Sequence, residues 1–387
     1  MNRDSIGTRR QYLSGAAAGT LTAVAGCLSF LEDGGNNVSD GPAPIDSKPL
    51  KAFRGSGAII EDRQAPGGTS YEDMPNLSGT LNLYLGGGEG GRYTRLIELF
   101  KDIYPEFDVK PSHAPSSQLA NQIVTEVDNG QAEADVFWSI DSASLGFVTD
   151  NDAYESLSDT AVGSVPSSFT GTNNAWTGIA GRARSIPYNT NKLSESDIPN
   201  NVRDIPGSAL EGSMGWAPTY GAFKSFVTAM RLIRGDQATK DWLVSMKDGT
   251  KRFENEDIVS KRVADGAIDA GFANHYYAMR VINRRDDAPI DLAFTEGDAG
   301  ALVDVSGTLK VKGTEKGELV DNFVRHLHSM EAQEFFATKS YSYPMIPEVK
   351  PVGGLPTVDE LNPPDIDLAK LSNVDATLDL MREANVL

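Results

Sequence analysis

From residue 79 onward the chain alternates short apolar runs with amphipathic ones, and this alternation constrains the fold more than any other feature. Thr80-Leu81-Asn82-Leu83-Tyr84-Leu85 predicts a strand, and Tyr93 to Lys101 a helix with Leu96, Ile97 and Phe100 on one face. Phe107 to Lys110 predicts a second strand, Ser117 to Asn129 a second helix, and Ala134-Asp135-Val136-Phe137-Trp138 a buried third strand. Strand, helix, strand, helix, strand implies a parallel sheet, because parallel neighbours need a crossover that a helix supplies. With 387 residues the chain can build two lobes, each with its own core.

The N-terminus reads as an address rather than as fold. Arg9-Arg10 followed by the weakly apolar stretch Leu13 to Gly26 has the form of a twin-arginine export signal. Val24-Ala25-Gly26 before Cys27, the only cysteine, has the small-residue form of a lipoprotein cleavage box. Residues 1–26 are therefore expected to be a signal peptide, with Cys27 the lipidated first residue of the mature chain. Residues 27–78 are rich in Gly, Asn, Ser, Asp and Pro and show no sustained period, so they are expected to be a flexible tether. Two sequons, Asn37-Val38-Ser39 and Asn76-Leu77-Ser78, lie in this stretch and suit an exposed stalk. The expected location is the outer face of the cell membrane.

Charge excludes one class of partner. A net charge of −19, spread along the whole chain, leaves no clustered basic surface to track phosphates, so nucleic acid is not expected. Dispersed acidity instead suits a halophilic setting, since at molar salt the Debye length falls to ~3 Å and self-repulsion is screened.

Gly86, Gly88 and Gly91 spell G-x-G-x-x-G between a strand and a helix, with Asp108 downstream, which admits an exported dinucleotide-dependent oxidoreductase. The loop reads Gly-Gly-Gly-Glu-Gly-Gly, however, so any glycine spacing fits it, and Glu89 would set a negative charge where a pyrophosphate would lie. Further on, Trp176 to Asn189 reads as an extended run crossing between lobes. Trp216-Ala217-Pro218-Thr219-Tyr220-Gly221-Ala222-Phe223 leads into a helix from Lys224 to Arg234. Such a turn offers backbone N–H groups and a hydroxyl to an anion, and reads equally as an ordinary helix entry capped by Thr219.

Asp269 to Tyr277 ends in two adjacent phenols, Tyr276 and Tyr277. Phenolate is a hard oxygen donor, and a trivalent cation can displace its proton at neutral pH although a free tyrosine titrates near 10. Neighbouring tyrosines share a target only in a loop or at a helix start, since in a strand they face opposite ways. Asn274 is placed to break the strand Gly271 to Ala273 before them. The competing reading of such a pair is aromatic packing.

The succession Ala-Asp-Val-Phe-Trp, Gly-Arg-Ala-Arg-Ser-Ile-Pro-Tyr-Asn, Trp-Ala-Pro-Thr-Tyr-Gly-Ala-Phe and Asn-His-Tyr-Tyr, closing with Glu334-Phe335-Phe336 and Tyr343-Pro344-Met345-Ile346-Pro347, resembles the solute-binding proteins of iron(III) ABC importers. The resemblance covers residues 79 to about 387. It implies an α/β, two-lobed type II periplasmic-binding-protein fold with crossover hinge strands, lobe 1 being 79–177 and 307–345 and lobe 2 being 178–306 and 346–387. It further implies Fe(III) as the solute, with a synergistic anion such as carbonate, phosphate or citrate, and permease and ATPase subunits as partners of a monomer.

Carried over residue by residue, Tyr276 and Tyr277 match the tandem tyrosine ligands, and Asn274 matches a polar residue supporting the anion. Thr219 and Tyr220 match the turn that binds the anion or supplies a further phenolate, so Tyr220 is a candidate third ligand. Asp141 stands one residue from a position where some relatives carry a carboxylate ligand. In the first loop many relatives carry a histidine, where this chain has Gly88-Glu89-Gly90-Gly91-Arg92-Tyr93. Glu89 is then a substitute carboxylate, while Arg92 is a candidate anion contact that could equally hold an organic or oxyanion solute: thiamine-like, polyamine or phosphonate. Enzyme signatures are missing: there is no H-E-x-x-H, C-x-x-C, G-x-S-x-G or P-loop among these residues. A binding protein is expected.

Overall fold

The computed structural model describes residues 48–87, 91–372 and 374–387. The export segment, Cys27, the Asn37 sequon, the tether as far as residue 47 and Glu89 lie outside the described residues.

The first lobe opens on α1 (Lys48–Phe53), β1 (Gly79–Gly86), α2 (Arg92–Ile103), β2 (Phe107–Ala114), α3 (Ser116–Asp128), β3 (Val136–Ser139) and α4 (Ser142–Asp150). Helix α2 starts after Gly91, which takes the left-handed φ of 80° that glycine adopts freely, and it buries Tyr93, Leu96, Ile97 and Phe100. β1 pairs in parallel with β2 (Gly79 against Phe107) and with β3 (Leu83 against Val136), as the alternating pattern implies.

The long β4 (Thr177–Asn189) follows, then β5 (Met214–Trp216), α5 (Gly221–Arg234), α6 (Asp236–Lys247), β6 (Thr250–Arg252) and α7 (Glu256–Ala264). Next come β7 (Ala270–Gly271), β8 (Ala273–Asn274), α8 (His275–Arg284), β9 (Ile290–Ala293) and β10 (Val303–Val311). The chain ends with α9 (Gly317–Leu327), α10 (Met330–Phe335), a π-helical turn Phe336–Ser340, β11 (Tyr343–Pro344) and α11 (Val374–Glu383).

One strand order, β2-β1-β3-β10-β4-β7-β5-β6, runs through both halves. The sheet is mixed rather than purely parallel, because β10 returns from the second half and inserts antiparallel between β3 and β4. With 13 residues, β4 spans about 43 Å at ~3.3 Å per residue, long enough to pair β10 and β11 at one end and β7, β8 and β9 at the other. The β4–β10 register slips at Ser306/Gly307, where a Cβ on Gly307 would lie 2.7 Å from the Thr177 carbonyl oxygen.

The segment from 48 to 78 is not a tether, contrary to the reading of its composition. Leu50, Phe53, Ile60, Tyr71 and Leu77 are buried, and the Phe53 ring sits 5.9 Å from those of Tyr71 and Phe100. Glu334, fully buried, accepts from Arg54 at 2.7 Å and Arg63 at 2.9 Å, while Glu331 accepts from Ser70 at 2.6 Å and the Tyr71 N–H at 3.1 Å. Isolated anchors and two buried carboxylates hold the strap where no periodic face exists. Its Ser56 carbonyl also accepts from Asn283 of α8 at 3.3 Å.

The C-terminal segment touches both halves. Ser142 of α4 donates to the Leu368 carbonyl at 3.2 Å, whereas Thr377 of α11 bonds Thr228 of α5 at 2.8 Å.

Candidate metal centre

Strand β8 ends at Asn274, which stands at the N-cap position of α8 with φ −67° and ψ 139°, so Tyr276 and Tyr277 fall in the first helical turn. A helix start lets adjacent side chains converge where a strand would part them. The rings lie 4.4 Å apart, with 3% and 7% exposure, and pack with Ala273 in a small cluster joined by Tyr220 and Tyr341. Tyr220 sits at the N-cap of α5, and its hydroxyl is 2.5 Å from that of Tyr277. Two helix N-termini thus face one group of phenols, and each favours negative charge nearby.

Burial pushes the Tyr277 hydroxyl far above its ordinary value of 10, with Tyr276 and Tyr220 adding to the rise. The Tyr277 hydroxyl therefore keeps its proton in the free protein, and only a strongly polarising cation can replace it. Arg280, one turn along α8, lies 4.8 Å over the Tyr276 ring and 5.4 Å over that of Tyr277.

Asn274 is held rigidly. Its N–H donates to Glu256 at 2.8 Å, its side-chain oxygen accepts from Arg184 at 3.1 Å, and Arg184 pairs with Glu256 at 2.5 Å. Its amide nitrogen reaches the Tyr276 hydroxyl at 3.5 Å. His275 is not surface-exposed: its Nδ1 accepts from the Ala183 N–H at 3.2 Å, leaving Nε2 to donate to the Tyr341 carbonyl at 2.7 Å.

Thr219 is exposed and does not cap α5; the N-cap position falls to Tyr220, whose side chain makes no capping bond. Thr219 lines a hollow of about 520 Å³ with Arg252, Phe253, Glu254 and Ile258. Asp141 caps α4, accepting from the Ser144 N–H at 2.7 Å. Burial and then the nearby Asp304 raise its pKa. Arg92 opens α2 and donates to the Lys339 carbonyl at 3.0 Å.

Sequence reasoning missed Arg182 and Asp304, paired at 3.2 Å. Burial opposes the Arg182 charge, but the Asp304 carboxylate outweighs it and holds the guanidinium protonated. It also missed Arg184, Glu256, Arg280 and Tyr341; of these only Arg280, three and four residues past the tyrosine pair, carried a spacing signal. Among the described residues no group of three His, Cys, Asp or Glu could hold a metal, so the hard donors assembled here are phenols.

A profile described as bacterial extracellular solute-binding protein matches residues 132–373. The chain belongs to this family. Over 286 residues it is 28% identical to the major ferric iron-binding protein of Neisseria meningitidis, covering 72% of this chain and 85% of that one. It is 26% identical over 275 residues to an Fe(3+)-binding periplasmic protein of Serratia marcescens, covering 70% and 80%. Iron-bound HitA from Pseudomonas aeruginosa superimposes with a TM-score of 0.69 at 28% identity, over 79% of this chain and 99% of that one. The two-lobed α/β architecture and a binding rather than catalytic role, both expected from the sequence, accord with this family.

Proposed function

We propose that this protein captures ferric iron between its two lobes and delivers it to the permease and ATPase of an ABC importer. The observation that carries the reading is the convergence of Tyr276, Tyr277 and Tyr220 from two helix starts, with two hydroxyls 2.5 Å apart. Three phenolates balance the charge of Fe(III), and Glu89 or an exogenous carbonate, phosphate or citrate would complete the sphere. Asn274, Thr219 and Arg92 are the candidate anion contacts. Similarity to the ferric-binding proteins of Neisseria and Serratia supports the same solute. The twin-arginine pair and the small-residue box before Cys27 support export and lipid anchoring at the outer face of the membrane.

Ferric phenolates absorb visible light. Purified protein titrated with ferric citrate is expected to turn orange to red at one iron per chain, and the Tyr276→Phe/Tyr277→Phe variant to stay colourless. A colourless wild type would refute the reading and point to the organic or oxyanion solute.

A further inference from the structure

Tyr341 holds a backbone conformation that its residue type rarely takes. It follows the π-helical turn Phe336–Ser340 and sits at φ 59° and ψ 25°, in the left-handed region. Non-glycine residues occupy that region at an energetic disadvantage, and both such residues and π-turns concentrate at functional sites. Its N–H donates to the Phe336 carbonyl, and its own carbonyl accepts from His275 Nε2 at 2.7 Å. The residue is thereby fastened to the helix turn that carries Tyr276. Its ring, part-buried, packs against the Ala273, Tyr276 and Tyr277 cluster.

We infer that Tyr341 is a fourth phenol of the metal centre, contributed by the first-lobe turn that faces the three second-lobe tyrosines. The inference rests on the ferric reading above and extends it. Tyr341 would add a hard donor from a turn separate from the two helix starts that carry the other three phenols. Four phenolates on Fe(III) leave one negative charge, which the guanidinium of Arg280 over Tyr276 and Tyr277 offsets.

Tyr341→Phe removes one oxygen and keeps the ring, so a residue that only packs would be indifferent to it. The full-length variant, loaded with ferric citrate, is expected to bind one iron with its visible absorption per iron reduced by about a quarter and the band displaced. Release to a competing chelator is expected to accelerate by about tenfold or more. An unchanged band and release rate would overturn the inference. If Tyr341→Phe failed to fold, Tyr341→His would carry the same readouts, with the band changed by a nitrogen donor; an unaltered band would again refute it. A colourless wild type would instead sink the ferric reading, which separates the two failures.

Discussion

Glu256→Gln tests the part of the site that sequence could not reveal. Glu256 is fully buried and Arg184 is 3% exposed, joined at 2.5 Å on opposite sides of Asn274. Among the described residues the Nε and Nη2 of Arg184 find no hydrogen-bond partner, so the carboxylate is the main compensation for a buried charge. Glutamine keeps the shape and removes the charge, and stranding one member of a buried pair costs about 3–5 kcal/mol. At about 2 °C per kcal/mol, the lower end for chains of about 150–250 residues, Tm should fall by at most roughly 6–10 °C in calorimetry. Molar salt should not restore it, because screening does not reach a buried pair. Arg184→Met/Glu256→Leu, which removes both charges, should recover most of the loss. Iron affinity of the single variant should drop about tenfold, since Asn274 sets the entry of α8 and hence the tyrosine rings. A Tm within ~2 °C of the wild type would show that Arg184 finds compensation elsewhere, and the reasoning would fail.

Iron binding that replaces about three phenol protons should weaken by up to a thousandfold per unit fall in pH, measured by competition with a chelator of known protonation. A slope near one proton would mean that a single tyrosine ligates. His326 gives an acid limit to the iron-free fold: burial first of all pushes its pKa from 6.5 down to about 4, while its Nδ1–H donates to the Asn322 carbonyl at 2.7 Å. Between those values the unfolded chain takes a proton that the folded one refuses, so the contribution is full above pH 6.5 and is lost as pH falls to about 4. It amounts to ~3 kcal/mol, read as the flattening of urea midpoints against pH in His326→Gln. Glu334→Gln, which strands Arg54 and Arg63, should free the strap and speed tryptic cleavage there by about 30–100-fold. Equal cleavage rates would mean the apolar anchors hold it unaided.

The features legible in the sequence were those carried by local pattern. The parallel β1–β3 core, the crossing strand from Thr177 to Asn189 and the turn at Asn274 all follow from runs of a few residues. What escaped depends on distant partners. Arg184 and Glu256 are 72 positions apart and meet only because β8 pairs with β4. The strap has no period to detect, since its anchors are single residues spaced irregularly over Leu50 to Leu77. Asp141 carried a second signal that went unread: an aspartate followed by Ser-Ala-Ser-Leu is an N-cap pattern, and Asp141 caps α4. Tyr341 lay beside a motif already noticed at Tyr343-Pro344, but only the left-handed backbone singles it out.

The two strands that join the halves, β4 and β10, are hydrogen-bonded to each other as one antiparallel ribbon with a slip at Ser306/Gly307. A paired ribbon flexes across its face far more readily than it shears along its length. Because the slip itself is also held to β3, with Gly307 opposite Ser139, the crease for any swing of the halves would lie on the stretch from Val303 to Ser306. Solute entry and exit would then share one route and one barrier, so substitutions at the crease should speed or slow both together and leave the equilibrium constant nearly untouched.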